Sequence, residues 1–148
     1  MVARIGFTGT QVGMTKAQQE EVERLLYQYR QHDSEFHHGD CIGADAQAHE
    51  IARRLGYCIV IHPSVNSTKR SFCVGDEERA RMDYVSRNHQ IVDETTFLIA
   101  APQTELERLR RDRLRSGTWA TIRYAVKHNH RVILVLPDGT TTHLISAP

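Results

Sequence analysis

Arg4-Ile5-Gly6-Phe7-Thr8, followed by Gly9-Thr10, is an apolar run too short for a helix that stops on a glycine and a hydroxyl. It reads as one buried strand feeding a turn. Four more runs have the same form: Glu35 to His38 before Gly39-Asp40, Cys58 to His62 before Pro63, Thr96 to Ala101 before Pro102, and Val132 to Leu136 before Pro137-Asp138-Gly139. Helical patterns fill the first, second and fourth intervals, and such alternation predicts a parallel sheet. The expected class is α/β, a three-layer sandwich with a mainly parallel five-stranded sheet and helices on both faces. Right-handed crossovers give the strand order 3-2-1-4-5.

The first helix is expected over Lys16 to Gln31, where Val22, Leu25, Leu26 and Tyr29 recur at helical spacing and Thr15 with Gln18 forms a capping box. The second follows Gly43, with Ala44, Ala48, Ile51, Ala52 and Leu55 on one stripe and Gly56 as its stop. From Pro63 to about Glu77 no apolar period survives, which predicts a long surface loop. A third helix is expected over Glu78 to Val92, turning Met82, Val85 and Val92 inward. A fourth starts at Ser116-Gly117-Thr118 and buries Trp119, Ile122, Ala125 and Val126 before Asn129. Thr140 to Ile145 offers a short edge strand.

The 148 residues suit one domain, 1–148. Nineteen Lys and Arg nearly balance eighteen Asp and Glu, so no global field draws the protein to nucleic acid or anionic lipid. No window approaches the roughly 20 apolar residues of a membrane span, and the chain enters a strand within a few residues. A cytoplasmic location is expected. Cys41, Cys58 and Cys73 are odd in number and lack CxxC spacing, which predicts reduced thiols.

In the order 3-2-1-4-5, the loops after the first and fourth strands flank the switch point, with the second loop beside them. Backbone N–H groups and helix N-termini gather there, favouring an anion such as phosphate. Gly9, Thr10 and Gln11 are expected ligand contacts, although Gly9 to Gly13 lacks full GxGxxG spacing and reads equally as a flexible turn. Gly39 to Asp45 joins strand to helix with two glycines and two carboxylates. Asp45 either accepts hydrogen bonds from ribose and serves as an acid/base group, or only offsets the helix's positive end. Asp45 is the first catalytic candidate and Asp40 the second.

The set Gly6-Phe7-Thr8-Gly9-Thr10, Gly39-Asp40-Cys41-Ile42-Gly43-Ala44-Asp45, Arg87-Asn88 and Ser116-Gly117-Thr118-Trp119 resembles the SLOG superfamily, which includes the DNA-processing protein A family and the Lonely Guy nucleotide phosphoribohydrolases. The resemblance runs from about Ile5 to Leu136. It implies a Rossmann-like domain that binds a nucleotide or nucleotide-derived ligand at the carboxyl edge, with Gly39, Gly43, Ala44, Arg87 and Asn88 near it. Some such families cleave the bond between base and ribose 5′-phosphate, others sense nucleotides, and others bind single-stranded DNA. Lonely Guy enzymes carry PGGxGTxxE with a catalytic Glu, and Thr121 stands in that place here. A hydroxyl cannot supply the anionic group that stabilises an oxocarbenium-like centre.

Ser116-Gly117-Thr118 is the expected phosphate site, because glycine admits close approach and the helix start offers free N–H groups; the bland alternative is an ordinary N-cap. His62-Pro63 ends the third strand at the same edge, where imidazole either meets the ligand or is satisfied internally. Tyr84 either stacks on a base or borders the core. His37, His38, Asp40 and Cys41 invite a metal reading, yet neighbouring strand residues face opposite sides, so no metal is expected, nor any cofactor. Arg108, Arg110, Arg111, Arg113 and Arg115 form a solvated face, a lid over phosphate, or a patch for single-stranded nucleic acid. Interleaved aromatics are missing there, which lowers the nucleic-acid reading. The leading expectation is a nucleotide binder acting as sensor, carrier or sequestering protein. The alternatives are an N-glycosidase of nucleoside monophosphates with Asp45 as its carboxylate, and a single-stranded DNA-binding protein. Assembly into a homo-oligomer stays open.

Overall fold

A computed structural model describes residues 3–104 and 116–144. The arginine run therefore lies outside the described residues. In chain order the elements are β1 (Arg4–Gly9), α1 (Lys16–Tyr29), β2 (Glu35–His38), α2 (Ala44–Arg54), β3 (Cys58–Ile61), β4 (Glu77–Glu78), α3 (Tyr84–Asp93), β5 (Phe97–Ala101), α4 (Gly117–Lys127), β6 (Arg131–Val135) and β7 (Thr141–Leu144). The strands make one sheet in the order β4-β3-β2-β1-β5-β6-β7, parallel throughout except for β7.

The five expected strands occupy the middle of this sheet in the expected order. Seven strands are present rather than five. β7 adds an antiparallel edge where Thr140 to Ile145 was read as a strand. β4 was not foreseen, because it consists of two exposed glutamates with no apolar pattern. It is held through its backbone, which pairs with Val60 and Ile61 of β3, and the flanking amides of Asp76 and Arg79 donate to Ile59 and Ile61 at 2.8 Å. A short charged edge of this kind discourages further strand addition. Consequently α3 begins at Tyr84 rather than Glu78, capped by Asp83, whose carboxylate accepts from the Ser86 amide at 2.9 Å. Val85 is 63% exposed rather than inward, and Arg87, Ile91 and Val92 form the buried stripe.

Strand alternation sorts the core into two layers. Ile5 and Phe7 of β1, Phe36 of β2, Ile59 and Ile61 of β3, and Ile99 of β5 pack under α1 and α2 with Val22, Leu26, Ala48 and Ile51. Leu98, Ala100, Val132 and Leu134 pack under α3 and α4 with Ile91, Val92, Trp119 and Ile122. Full burial of each large side chain contributes about 1.5–3 kcal/mol. The Thr15–Gln18 capping box forms as expected. Gln18 does more, since its Nε2 donates to the carbonyls of Pro102 (2.8 Å) and Val135 (3.1 Å), tying α1 to the ends of β5 and β6. Among the described residues no helix is long and apolar enough to cross a membrane.

Gly6 lets α3 lie close to the sheet: a Cβ there would stand 2.9 Å from Thr95 Oγ1 and 3.1 Å from Ile91 Cγ2. Gly6→Ala should lower the unfolding free energy by about 1–3 kcal/mol through overpacking, read as a lower denaturant midpoint at unchanged slope.

Candidate functional site

The carboxyl ends of β1, β2, β3 and β5 bring the expected segments into one contiguous set of contacts. Behind β1, the Thr10 amide donates to the Ala101 carbonyl at 3.1 Å, which joins the first loop to the end of β5. The Thr10 carbonyl accepts from the Ala44 amide at 2.9 Å, seating the start of α2 on the same loop. Two glycines permit this approach. A Cβ on Gly9 would lie 2.5 Å from Ala44 Cβ, and one on Gly43, whose φ is +86°, would lie 2.3 Å from the Gln11 carbonyl oxygen. Gln47 of α2 holds the rest of the loop, its Oε1 accepting from the Met14 amide at 2.7 Å.

Arg87 is the hub. Its side chain reaches from α3 under the β2 turn, and the residue is 4% exposed. The guanidinium donates to the Gly39 carbonyl (2.6 Å), the His62 carbonyl (3.2 Å), the Cys41 sulfur (3.6 Å) and Asn88 Oδ1 (2.7 Å). Gly39 has to be glycine here, since a Cβ would meet the guanidinium at 2.6 Å. Tyr84 lies against the same guanidinium, its ring centroid 5.5 Å away, so it borders the clamp. Asn88 extends the set to α4: a Cβ on Gly117 would come within 3.8 Å of Asn88 Nδ2. Ser116 caps α4, accepting from the Trp119 amide at 3.1 Å, and Gly117 and Thr118 occupy the first turn, whose amides have no intrahelical acceptor.

Asp45 sits in the first turn of α2 and is 5% exposed. One carboxylate oxygen, Oδ2, accepts from the Cys41 amide at 3.1 Å. The other, Oδ1, is buried without a hydrogen-bond partner among the described residues. Burial pushes the carboxyl up to about 6, against the opposing pull of the Arg87 charge and of the Cys41 and Gly39 amides. A buried polar oxygen left unpaired costs stability, which sets this atom apart from the satisfied polar groups around it.

Several expected site residues are committed elsewhere. Asp40, fully buried with φ +57°, accepts from Arg70 Nε at 2.6 Å and from the Cys73 amide at 2.8 Å, so both oxygens serve the fold rather than catalysis. The His62 ring is fully buried, with His37 Nδ1 2.8 Å from its Nε2 and Gln90 Oε1 2.9 Å from its Nδ1, so neither nitrogen is exposed at the carboxyl edge. Pro63 is buried beside it. Thr121, expected among the ligand contacts, is buried, and its hydroxyl donates to the Gly117 carbonyl one turn back at 2.7 Å. Gln11 is exposed at the mouth of the loop.

His37 and His38 face opposite sides of the sheet, as alternation requires. Each nonetheless meets partners from distant elements: His38 and His49 lie near Cys73, and His37 and His62 lie near Glu94. Sequence reading missed both groups because no local spacing links their members. Burial pushes the Cys41 and Cys73 thiols up to about 11, and all three cysteines are free. An open depression of about 780 Å³ lies at the opposite, amino edge of the sheet, lined by Arg30, His32, Arg53, Tyr57, Cys58 and Asp76. Arg53 and Asp76 neutralise each other there at 3.1 Å, and no buried acceptor faces that space.

No family model and no curated protein matches this chain. Solved structures do. A molybdenum cofactor binding protein from the phototrophic bacterium Rippkaea orientalis aligns at 19% identity and TM-score 0.66 over 92% of this chain and 77% of its own. The structural-genomics target TM1055 aligns at 13% identity and TM-score 0.63 over 90% and 74% of the two chains. DNA processing protein A from Helicobacter pylori, studied for single-stranded DNA binding, aligns at 16% identity and TM-score 0.57 over 89% and 64%. These likenesses establish a Rossmann-like fold, in keeping with the SLOG resemblance.

The raised carboxyl of Asp45 has a consequence for stability. Its folded value of about 6 lies above the unfolded value of about 3.9. The contribution is therefore fully present below about pH 4 and is lost as pH rises through about 6, amounting to about 3 kcal/mol at neutrality. Asp45→Asn should raise the thermal midpoint at pH 7.5 and leave it nearly unchanged at pH 4, as measured by calorimetry at both pH values.

Proposed function

We propose that the carboxyl edge binds a nucleotide or a nucleotide-derived ligand, with a sugar hydroxyl on Asp45 Oδ1 and a phosphate at the start of α4. The unpartnered oxygen of Asp45 carries this reading. A ribose hydroxyl donates where the chain supplies no donor, and a hydrogen bond to a charged acceptor contributes about 1.5–3 kcal/mol.

Charge separates the two ends of the ligand. The Ala44 amide at the start of α2 is taken by the Thr10 carbonyl, and the Asp45 carboxylate repels an anion there. At α4 the first turn carries no acid, its leading amides lack intrahelical acceptors, and the helix dipole favours phosphate. Gly9, Thr10 and Gln11 lie between them as a backbone wall. The molybdenum cofactor binding protein supports this reading as a protein of the same fold that holds a ligand.

A second reading rests on the same carboxyl. A group titrating near pH 6 is suited to acid/base work, so Asp45 also fits the carboxylate of a nucleotide N-glycosidase. Free base released from a nucleoside monophosphate, and lost in Asp45→Asn, would convert the binder into that enzyme.

A thermal-shift screen across nucleoside mono-, di- and triphosphates, cyclic nucleotides and a short single-stranded oligonucleotide tests the proposal. At a hundred times its dissociation constant a bound nucleotide adds about 2.7 kcal/mol, a rise of several degrees. Asp45→Asn should weaken binding by tenfold or more. A flat response to every nucleotide would overturn the reading, and a response to the oligonucleotide alone that collapses with added salt would assign the edge to single-stranded DNA.

A further inference from the structure

The two imidazoles of His37 and His62 face each other on the α3 side of the sheet, His37 Nδ1 standing 2.8 Å from His62 Nε2. His37 Nε2 lies 2.8 Å from Glu35 Oε1, and a carboxylate only accepts, so that nitrogen carries the ring's proton. With the Gln90 amide oriented so that its Oε1 lies 2.9 Å from His62 Nδ1, that nitrogen carries the proton of the second ring. A neutral imidazole holds one N–H. The two nitrogens in contact are therefore both bare lone pairs, which repel at that distance unless something positive lies between them.

A proton is poorly suited to that place. The rings are 1% and 0% exposed, and burial pushes both away from protonation. Glu94 supplies a third donor, its Oε1 3.9 Å from each of the two bare nitrogens. Two imidazole nitrogens and one carboxylate oxygen, with each ring's far nitrogen hydrogen-bonded to an acceptor, is the arrangement that holds and orients a divalent transition metal.

We propose that His37 Nδ1, His62 Nε2 and Glu94 Oε1 form a binding site for a divalent cation of the zinc class, positioned by Glu35 and Gln90. Tetrahedral bonds of about 2.0–2.1 Å place donors about 3.3 Å apart, so the ion opens the nitrogen pair and draws Glu94 in. Glu94 is 30% exposed and gives a path from solvent. Arg79 Nε now occupies the Glu94 oxygen at 3.0 Å, and it keeps Glu77 at 2.9 Å as a second partner when the ion takes that oxygen. The site would join β2, β3 and the C-terminal end of α3, with Glu94 about two helical turns from Arg87.

The neighbouring group on the other face fails the same test. The Asp40 amide donates to His38 Nδ1 at 2.9 Å, which leaves the proton on Nε2, pointing at His49 Nδ1 2.9 Å away. That contact is an ordinary satisfied hydrogen bond, and Nε2 has no lone pair for a metal near Cys73.

Tag-free protein stripped with a chelator, then titrated with Zn²⁺ by calorimetry and with Co²⁺ by visible absorption, tests the site. The expected result is one ion per chain, with the strong visible bands of a low-coordinate Co²⁺ centre. Glu94→Gln should weaken binding at least tenfold while the chain stays folded by circular dichroism, and Cys73→Ser should bind as the wild type does. The proposal is overturned if the wild type takes up no ion, if Glu94→Gln binds unchanged, or if Cys73→Ser is the variant that loses it. None of these outcomes depends on a nucleotide, so the edge reading stands or falls separately.

Discussion

Arg87 carries a full charge at 4% exposure, and the geometry of the carboxyl edge follows from how that charge is satisfied. Its guanidinium spans the carbonyls that end β2 and begin the segment after β3, and it faces the Cys41 sulfur and the Asp45 carboxylate. Taking away one of these carbonyl acceptors would leave a buried donor unpaired, at a cost of about 1–3 kcal/mol. The planar fork also sets direction: one face holds the strand ends in register and the Nε turns Asn88 toward Gly117. Helix α3 thereby acts as a strut between the second loop and the start of α4.

Around that strut the backbone is packed to the limit that glycine allows. Gly39 makes room for the guanidinium, Gly43 for the Gln11 carbonyl, and Gly9 for the first turn of α2. These approaches place backbone donors and carbonyls, rather than side-chain methyls, at the edge. Within the same packing the Cys41 amide holds Asp45 Oδ2 at 3.1 Å while Oδ1 stays buried without a hydrogen-bond partner among the described residues.

The central five strands and four helices were readable along the chain because each depends on near neighbours. Alternation and run length identify Arg4 to Gly9 or Phe97 to Ala101 without reference to the rest of the molecule, and the Thr15–Gln18 cap is a contact three residues long. The site was readable only in part. Asp45, Gly43 and Gly117 stand out by their position after strands, yet Asp40, with the same residue type in the same loop, turned out to be paired with Arg70 thirty residues away. The sequence ranked Asp45 ahead of Asp40 without showing what each would meet, and only the fold supplied Arg70 and the Cys73 amide as the partners of Asp40.

Local pattern, then, was enough for the order of the five central strands and for the starts of α1, α2 and α4, since those follow from periodicity, capping chemistry and the handedness of crossovers. Folding in three dimensions settled everything that depends on distant partners. β4 exists because β3 offers backbone groups to two glutamates, His62 is occupied because His37 and Gln90 arrive beside it, and Arg87 finds Gly39 forty-eight residues away. No window of sequence encodes such meetings, because a hydrogen bond depends on ångströms in space and is indifferent to separation along the chain.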